Sequence, residues 1–158
     1  MKLIGWNCQG AGKDLDNSNK MEFLARLMNS TGVQVTFLSE TRSSRYNSSH
    51  LNSRFNTAGS FVVPSTGFSG GLWLLWSDEV RVSINFSNQY LILAVVGHIH
   101  TNVDFALACV YGDPHHRHTR MIWEQISTFV NDNLGKPLVF LGDMNELMSE
   151  ADTTFRLM

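Results

Sequence analysis

Asp143 and Asn145 stand two residues apart at the end of Leu138–Asn145, which reads Leu-Val-Phe-Leu-Gly-Asp-Met-Asn. In extended backbone, residues i and i+2 point to the same side, so a carboxylate and an amide leave the chain together and face one ligand. Carboxylate oxygens bind a hard cation or orient a water, and an amide N–H donates to a phosphoryl oxygen. The chemistry on offer is that of a metal ion beside a phosphate. Leu138–Leu141 is short and apolar, bounded by Gly135-Lys136-Pro137 and Gly142, the pattern of a strand buried on both faces. Gly142 allows a turn or a close backbone approach. Gly, Asp and Asn are also ordinary turn residues, so a plain polar turn stands as the alternative for this segment read alone.

Three other apolar segments end in the same way. Lys2–Cys8 reads as a buried strand closing on Asn7 and a Gly-bearing loop, and Val33–Leu38 as a second closing on Ser39-Glu40-Thr41-Arg42. Val103–Tyr111 ends on Tyr111. In open α/β sheets, sites gather beyond the carboxyl ends of the strands. Four apolar strands ending in Asn7, Glu40, Tyr111 and Asp143/Asn145 together favour a metal–phosphate site over four unrelated turns.

The remaining elements must position those ends. Met21, Leu24, Ala25 and Met28 fall at helical spacing, predicting an amphipathic helix over Asn19–Ser30, with Asn19 and Glu22 as a capping box. Ser43–Asn56 reads as a long polar loop with a weak helix near His50–Phe55. Phe61–Val63, Leu72–Trp76, Val80–Phe86, Tyr90–Ile99 and Val103–Tyr111 read as a run of adjacent antiparallel strands. Asp113-Pro114 marks a second helix start nearby, and Ile122, Ile126, Phe129 and Val130 share one helical face.

Composition sets the class. With 158 residues, 43% hydrophobic and 16% charged, the chain is a single folded domain rather than a disordered segment. A net charge of −2 gives little general attraction to nucleic acid, so any such contact must come from a local site or a bound cation. Cys8 and Cys109 lie in apolar segments and read as buried free thiols of a reducing compartment. The N-terminus is too poor in apolar residues for a signal peptide, and the longest apolar run is far below a membrane span. The expectation is an intracellular protein, nuclear or cytoplasmic, with no membrane partner.

Trp6-Asn7-Cys8-Gln9-Gly10, Leu38-Ser39-Glu40-Thr41-Arg42, Val110-Tyr111-Gly112 and Leu141-Gly142-Asp143-Met144-Asn145 together resemble the endonuclease/exonuclease/phosphatase superfamily. The resemblance is to the endonuclease domain of LINE-type (non-LTR) retrotransposons, especially those of plants. It spans nearly the whole chain and implies a two-sheet α/β sandwich flanked by helices. It implies Mg²⁺- or Mn²⁺-dependent hydrolysis of DNA phosphodiesters. Glu40 is then the direct metal ligand, and Asn7 supports the metal or contacts phosphate. Tyr111 hydrogen-bonds the scissile phosphate, Asp143 orients or activates the attacking water, and Asn145 positions Asp143 and the phosphate. The family also uses a later Asp-His pair, which does not occur between Asn145 and Met158, and Pro114 stands where related endonucleases often carry Asn. The expectation is therefore a single domain over residues 1–158 whose C-terminal portion is missing, with weakened or lost activity. A non-catalytic retroelement remnant and a phosphatase or phosphodiesterase acting on a small phosphorylated substrate are the alternatives.

His115, His116 and His118 follow Tyr111 closely. They read as a solvated loop at a helix start, with a substitute acid/base, or a metal cluster with His98 and His100, as the functional alternative. Arg42, Arg45 and Arg54 with Tyr46 either track a phosphate backbone or belong to a solvated loop. Trp73, Trp76 and Trp123 read as packing residues.

Overall fold

Alternation of side chains along each strand decides which layer it serves, and in the computed structural model, which describes residues 1–145, that alternation builds two sheets back to back. The first contains β1 (Leu3–Asn7), β2 (Val35–Ser39), β3 (Gly59–Val63) and β4 (Leu72–Trp76), in the order β1-β2-β4-β3. The second contains β5 (Val80–Ser87), β6 (Leu91–His98), β7 (Asp104–Tyr111) and β8 (Leu138–Asp143), in sequence order. β1 runs parallel to β2 and β7 parallel to β8; the other pairs are antiparallel. Helices α1 (Asn19–Thr31) and α2 (Ser48–Phe55) cover the outer face of the first sheet, and α3 (Thr119–Asp132) that of the second. This is the α/β sandwich that the resemblance implies.

Three apolar layers hold it together. Val35, Phe37, Leu72 and Leu74 point inward from the first sheet to meet Ile92, Ala94, Val96, Leu107 and Cys109 from the second. The alternate residues Leu38, Trp73 and Leu75 face outward onto Met21, Leu24 and Met28 of α1 and Leu51 and Phe55 of α2. Leu91, Leu93, Ala108 and Val110 meet Ile122, Ile126 and Phe129 of α3. Each fully buried large side chain contributes about 1.5–3 kcal/mol of transfer free energy, so the inter-sheet layer is the main force setting the distance between the sheets. Trp73 and Trp76 face opposite sides of β4, into the outer and inter-sheet layers respectively, as packing residues.

The structure corrects four expectations. The α1 cap is Ser18, whose Oγ accepts from Met21 N–H at 3.3 Å, rather than Asn19, which is the first helical residue. The antiparallel run is split: β3 and β4 join the first sheet, and β5 to β7 form the second. Helix α3 begins at Thr119, later than Asp113-Pro114 suggests, because Asp113 organises a loop instead. Finally β8 is not buried on both faces. It pairs with β7 at the margin of its sheet; Val139 and Leu141 reach the inter-sheet core, while Phe140 is 45% exposed against Trp123. β1, at the margin of the other sheet, is likewise only half-buried, with Gly5 exposed. The stretch after Asn145, which lacks the Asp-His pair, lies outside the described residues.

Candidate active site

Parallel pairing brings the polar strand ends together in two halves. In the first sheet Asn7 is the register partner of Ser39, which puts Asn7 one residue from Glu40 across the ladder. The loops that follow stay joined: Cys8 N–H donates to the Ser39 carbonyl at 3.0 Å and Gly10 N–H to the Glu40 carbonyl at 2.6 Å. In the second sheet Tyr111 is the register partner of Asp143, and Gly112 N–H donates to the Asp143 carbonyl at 2.9 Å. Two glycines make that half possible. Gly142 has φ 128°, and a Cβ there would lie 2.0 Å from the Val110 carbonyl oxygen; a Cβ on Gly112 would strike the Met144 carbonyl.

One hydrogen bond closes the halves into a site. The Tyr111 hydroxyl donates to Glu40 Oε1 at 2.5 Å, joining residues 71 apart in sequence and in different sheets. The other Glu40 oxygen lies 3.6 Å from an Arg42 guanidinium nitrogen. Glu40 and Arg42 both adopt left-handed backbone, with φ 51° and 52°, a conformation that side-chain-bearing residues take only when their surroundings hold them there. Thr41 and Arg42 N–H donate to the Gly71 and Gly70 carbonyls, which fixes this segment against the β3–β4 loop.

Asn145 bonds to both Asp143 and the strand end beside it. Its backbone N–H donates to Asp143 Oδ1 at 2.9 Å, and its side-chain Nδ2 donates to the Gly112 carbonyl at 2.7 Å. Asp143 is exposed, so its free lone pairs face solvent. Asn7 sits at the right strand end, with its amide oxygen accepting from Gln9 N–H at 3.1 Å. Burial, followed by the hydrogen bond to Glu40 and the charges of Glu40 and Asp143, pushes the Tyr111 phenol above its ordinary range, with Arg42 opposing. The phenol therefore remains a protonated donor at neutral pH. Burial pushes the Cys8 thiol up to about 12, which rules it out as a nucleophile.

The histidines separate. His98 and His100 contact each other at the far end of β6 from Tyr90. Tyr90 is where the Tyr111 N–H donates, at 2.7 Å. Eight strand residues at about 3.3 Å each put the His98–His100 pair over 20 Å from the site. His118 is half-exposed and joins no group of three metal-binding side chains among the described residues: its Nδ1 lies 2.8 Å from Asp113 Oδ2 and 2.9 Å from the Tyr90 hydroxyl, and its ring stacks on Tyr90. Asp113 is 2% exposed and accepts from the backbone N–H groups of His115, Arg117 and His118. Sequence reading missed Asp113 because Asp-Pro is an ordinary loop dipeptide. The available signal was a short acid followed by several N–H groups before a helix. A cleft of about 210 Å³ opens beside Tyr111, walled by Gly70, Gly71, Tyr90, Asp113 and Arg117.

The oxygen donors suit a hard cation. Among the described residues no three His, Cys, Asp or Glu side chains converge, so an all-protein cage is absent. Mg²⁺ characteristically takes one or two carboxylates and keeps several waters, and Glu40 with Asn7 fits that pattern.

No helix among the described residues is long and apolar enough to cross a membrane. No curated protein matches the chain. Among solved structures, a truncated Caenorhabditis elegans TDP2 superposes with a TM-score of 0.61 at 16% identity, covering 92% of this chain and 62% of that one. D. rerio TDP2 complexed with a single-strand DNA product gives 0.62 at 19% identity, covering 97% and 64%. The 3′ phosphatase NExo from Neisseria, bound to a product DNA hairpin, gives 0.60 at 18%, covering 96% and 60%. This chain thus spans less than two thirds of each of these three, and identities this low establish the shared fold alone. Independently, the model of the Endonuclease/Exonuclease/phosphatase family matches residues 4–158. The chain belongs to the endonuclease/exonuclease/phosphatase family.

Proposed function

We propose that this domain hydrolyses DNA phosphodiester bonds as a divalent-cation-dependent endonuclease of the LINE-retrotransposon type. The observation that carries the reading is the Tyr111–Glu40 contact across the two sheets, with Asp143 at the register position beside Tyr111. It gathers a protonated donor, a carboxylate for a cation and an exposed carboxylate for a water into one place. Glu40 and Asn7 are the residues that hold Mg²⁺ or Mn²⁺. When bound, such a cation neutralises charge on the phosphate and supports the departing oxygen.

The protein's own part is positioning and proton transfer. The Tyr111 hydroxyl donates to a non-bridging phosphate oxygen, exchanging the Glu40 partner it has here for one that gains charge in the transition state. Asp143 accepts a proton from the attacking water, and Asn145 fixes the carboxylate through the Asp143 Oδ1 contact, leaving the other oxygen free. DNA as substrate draws support from the D. rerio TDP2 and NExo structures, which hold DNA products. The retrotransposon context draws on the four motifs around Asn7, Glu40, Tyr111 and Asp143.

Nicking of supercoiled plasmid tests the proposal. Activity is expected with Mg²⁺ or Mn²⁺, lost with chelator, and reduced about 10²–10⁴-fold in Asp143→Ala. Calorimetric titration of Mg²⁺ into Glu40→Gln is expected to show most of the affinity gone. Nicking that survives both substitutions unchanged refutes the assignment of this site.

A further inference from the structure

We propose that a second groove, next to the Glu40 site, binds an unpaired DNA strand, with Phe68 as a stacking platform for a base and Lys13 and Arg45 as backbone contacts. The inference rests on the nuclease reading above and names the form of DNA the site takes. The groove encloses about 290 Å³ and is lined by Lys13, Arg42, Ser43, Arg45, Gly67 and Phe68, among others. It shares the β3–β4 loop with the 210 Å³ cleft beside Tyr111: Thr66 and Ser69 face one, Ser65, Gly67 and Phe68 the other.

Three features distinguish it from an ordinary solvated surface. The first is charge. A protein with net charge −2 places three cations around this one groove, and the neighbouring acid, Asp14, is engaged by Asn17 rather than by Lys13. The second is Phe68. It is 88% exposed, the most exposed large apolar side chain among the described residues, and is held out on a two-residue turn closed by reciprocal Thr66–Ser69 backbone bonds. Gly67, with φ 63°, supplies the turn's first central position. Lys13 Nζ stands 5.9 Å from the Phe68 ring centre, so the ring and a cation already face one volume. The third is continuity. Arg42 lines the groove and also reaches Glu40 at 3.6 Å, so a strand lying along the groove leads to the proposed reacting phosphate.

An exposed aromatic ring within a basic groove is the arrangement that binds single strands, because every base has a face to stack and every nucleotide a phosphate to pair. Duplex DNA keeps its bases stacked and offers Phe68 nothing but its backbone. Arg54 of α2 and Tyr46 before it serve the fold instead: Arg54 Nε donates to the Leu15 carbonyl, and the Tyr46 hydroxyl accepts from Leu15 N–H while its ring packs edge-on against Trp73.

The test is fluorescence anisotropy on the full chain with chelator present, using labelled oligo(dT) of about twelve nucleotides and a blunt duplex of the same length. Wild type is expected to bind the single strand more tightly. Phe68→Ala is expected to weaken single-strand binding about tenfold and leave duplex binding unchanged, with an unaltered melting temperature. Lys13→Ala and Arg45→Ala are each expected to flatten the slope of log affinity against log salt by about 0.7. Equal affinity for the two probes, or single-strand binding indifferent to Phe68→Ala, overturns the inference. Glu40→Gln separates the two readings: loss of nicking with the single-strand preference intact supports both. Nicking by wild type without any single-strand preference leaves the nuclease standing and removes the groove.

Discussion

The Tyr111–Glu40 bond supplies a thermodynamic test of the site that needs no substrate. Tyr111 is 8% exposed and the Glu40 side chain 19%, so neither group is freely solvated when its partner is removed. A hydrogen bond to an ionised acceptor contributes about 1.5–3 kcal/mol to stability. The residual exposure of Glu40 lets water replace part of the lost contact, which places the coupling in the lower half of that range, about 1.5–2 kcal/mol. Tyr111→Phe alone should then cost about 2 kcal/mol, which lowers the melting temperature of a chain this size by roughly 4–8 °C. Glu40→Ala should cost about as much, because it strands a buried hydroxyl; its loose pairing with the half-exposed Arg42 adds less than about 1 kcal/mol. The double variant should cost less than the two singles added, by the coupling energy. Urea unfolding of the four proteins at neutral pH measures the cycle. Additivity within about 0.3 kcal/mol is what independent sites show, and finding it here would mean the two sheets do not meet at this bond.

Asp113 should govern acid stability. Burial works to raise its carboxyl, but the N–H groups of His115, Arg117 and His118 and the His118 ring outweigh it and hold it at about 2 against an ordinary 3.8. The stabilisation, about 2 kcal/mol, is thus complete above pH 4 and lost as pH falls from 4 to 2; Asp113→Asn should remove that acid limb in unfolding curves. At the other extreme, Cys8 rises from 9.0 to about 12 through burial, so its contribution is complete below pH 9 and lost as pH climbs beyond it. Both cysteines are buried, so a thiol reagent at pH 8 should label neither in the native protein and both in denaturant. Phe140→Lys should reduce self-association, read by light scattering, at a stability cost under about 1.5 kcal/mol, since it removes an exposed aromatic from a marginal strand and with it the Trp123 contact.

What was legible in the sequence was local. Asn7, Glu40, Tyr111 and Asp143 each close an apolar run, and such runs must be strands whose ends emerge from a core. That four such ends belong together was inference from recurrence and from motif. What joins the two sheets' ends is the Tyr111–Glu40 bond, and that depends on which face each sheet turns inward, which no window of sequence contains. The misreading of β8 has the same origin: Leu-Val-Phe-Leu looks alike in a central and in a marginal strand, since the pattern records the strand's own side chains and not its neighbours. The antiparallel run looked continuous because Ser77-Asp78-Glu79 resembles a hairpin loop, yet it carries the chain from one sheet to the other. In 113–118 the imidazoles drew notice as chemistry, while the loop's order comes chiefly from backbone N–H groups converging on Asp113. Phe68 belongs to no periodic segment, so nothing but its exposure on a folded turn singles it out.

The placement of Tyr111 shows how the core and the site depend on each other. Its backbone N–H is held by the Tyr90 carbonyl, its neighbour Gly112 by the Asp143 carbonyl, and its hydroxyl by Glu40. Tyr90 is in turn backed by His118, which Asp113 anchors, so His118 buttresses the strand end that carries Tyr111. The opposing half is set by β2, where Phe37, three residues before Glu40, is fully buried in the inter-sheet layer. The Phe37 ring lies so close to Gly142 that a Cβ there would stand 2.9 Å from it, immediately before Asp143. One aromatic ring therefore bears on the backbone leading to both carboxylates. Close-packed interiors transmit strain because they hold few voids to absorb it. The separation of the strand ends that carry Glu40 and Asp143 is thus constrained by the same apolar layer that holds the sheets together.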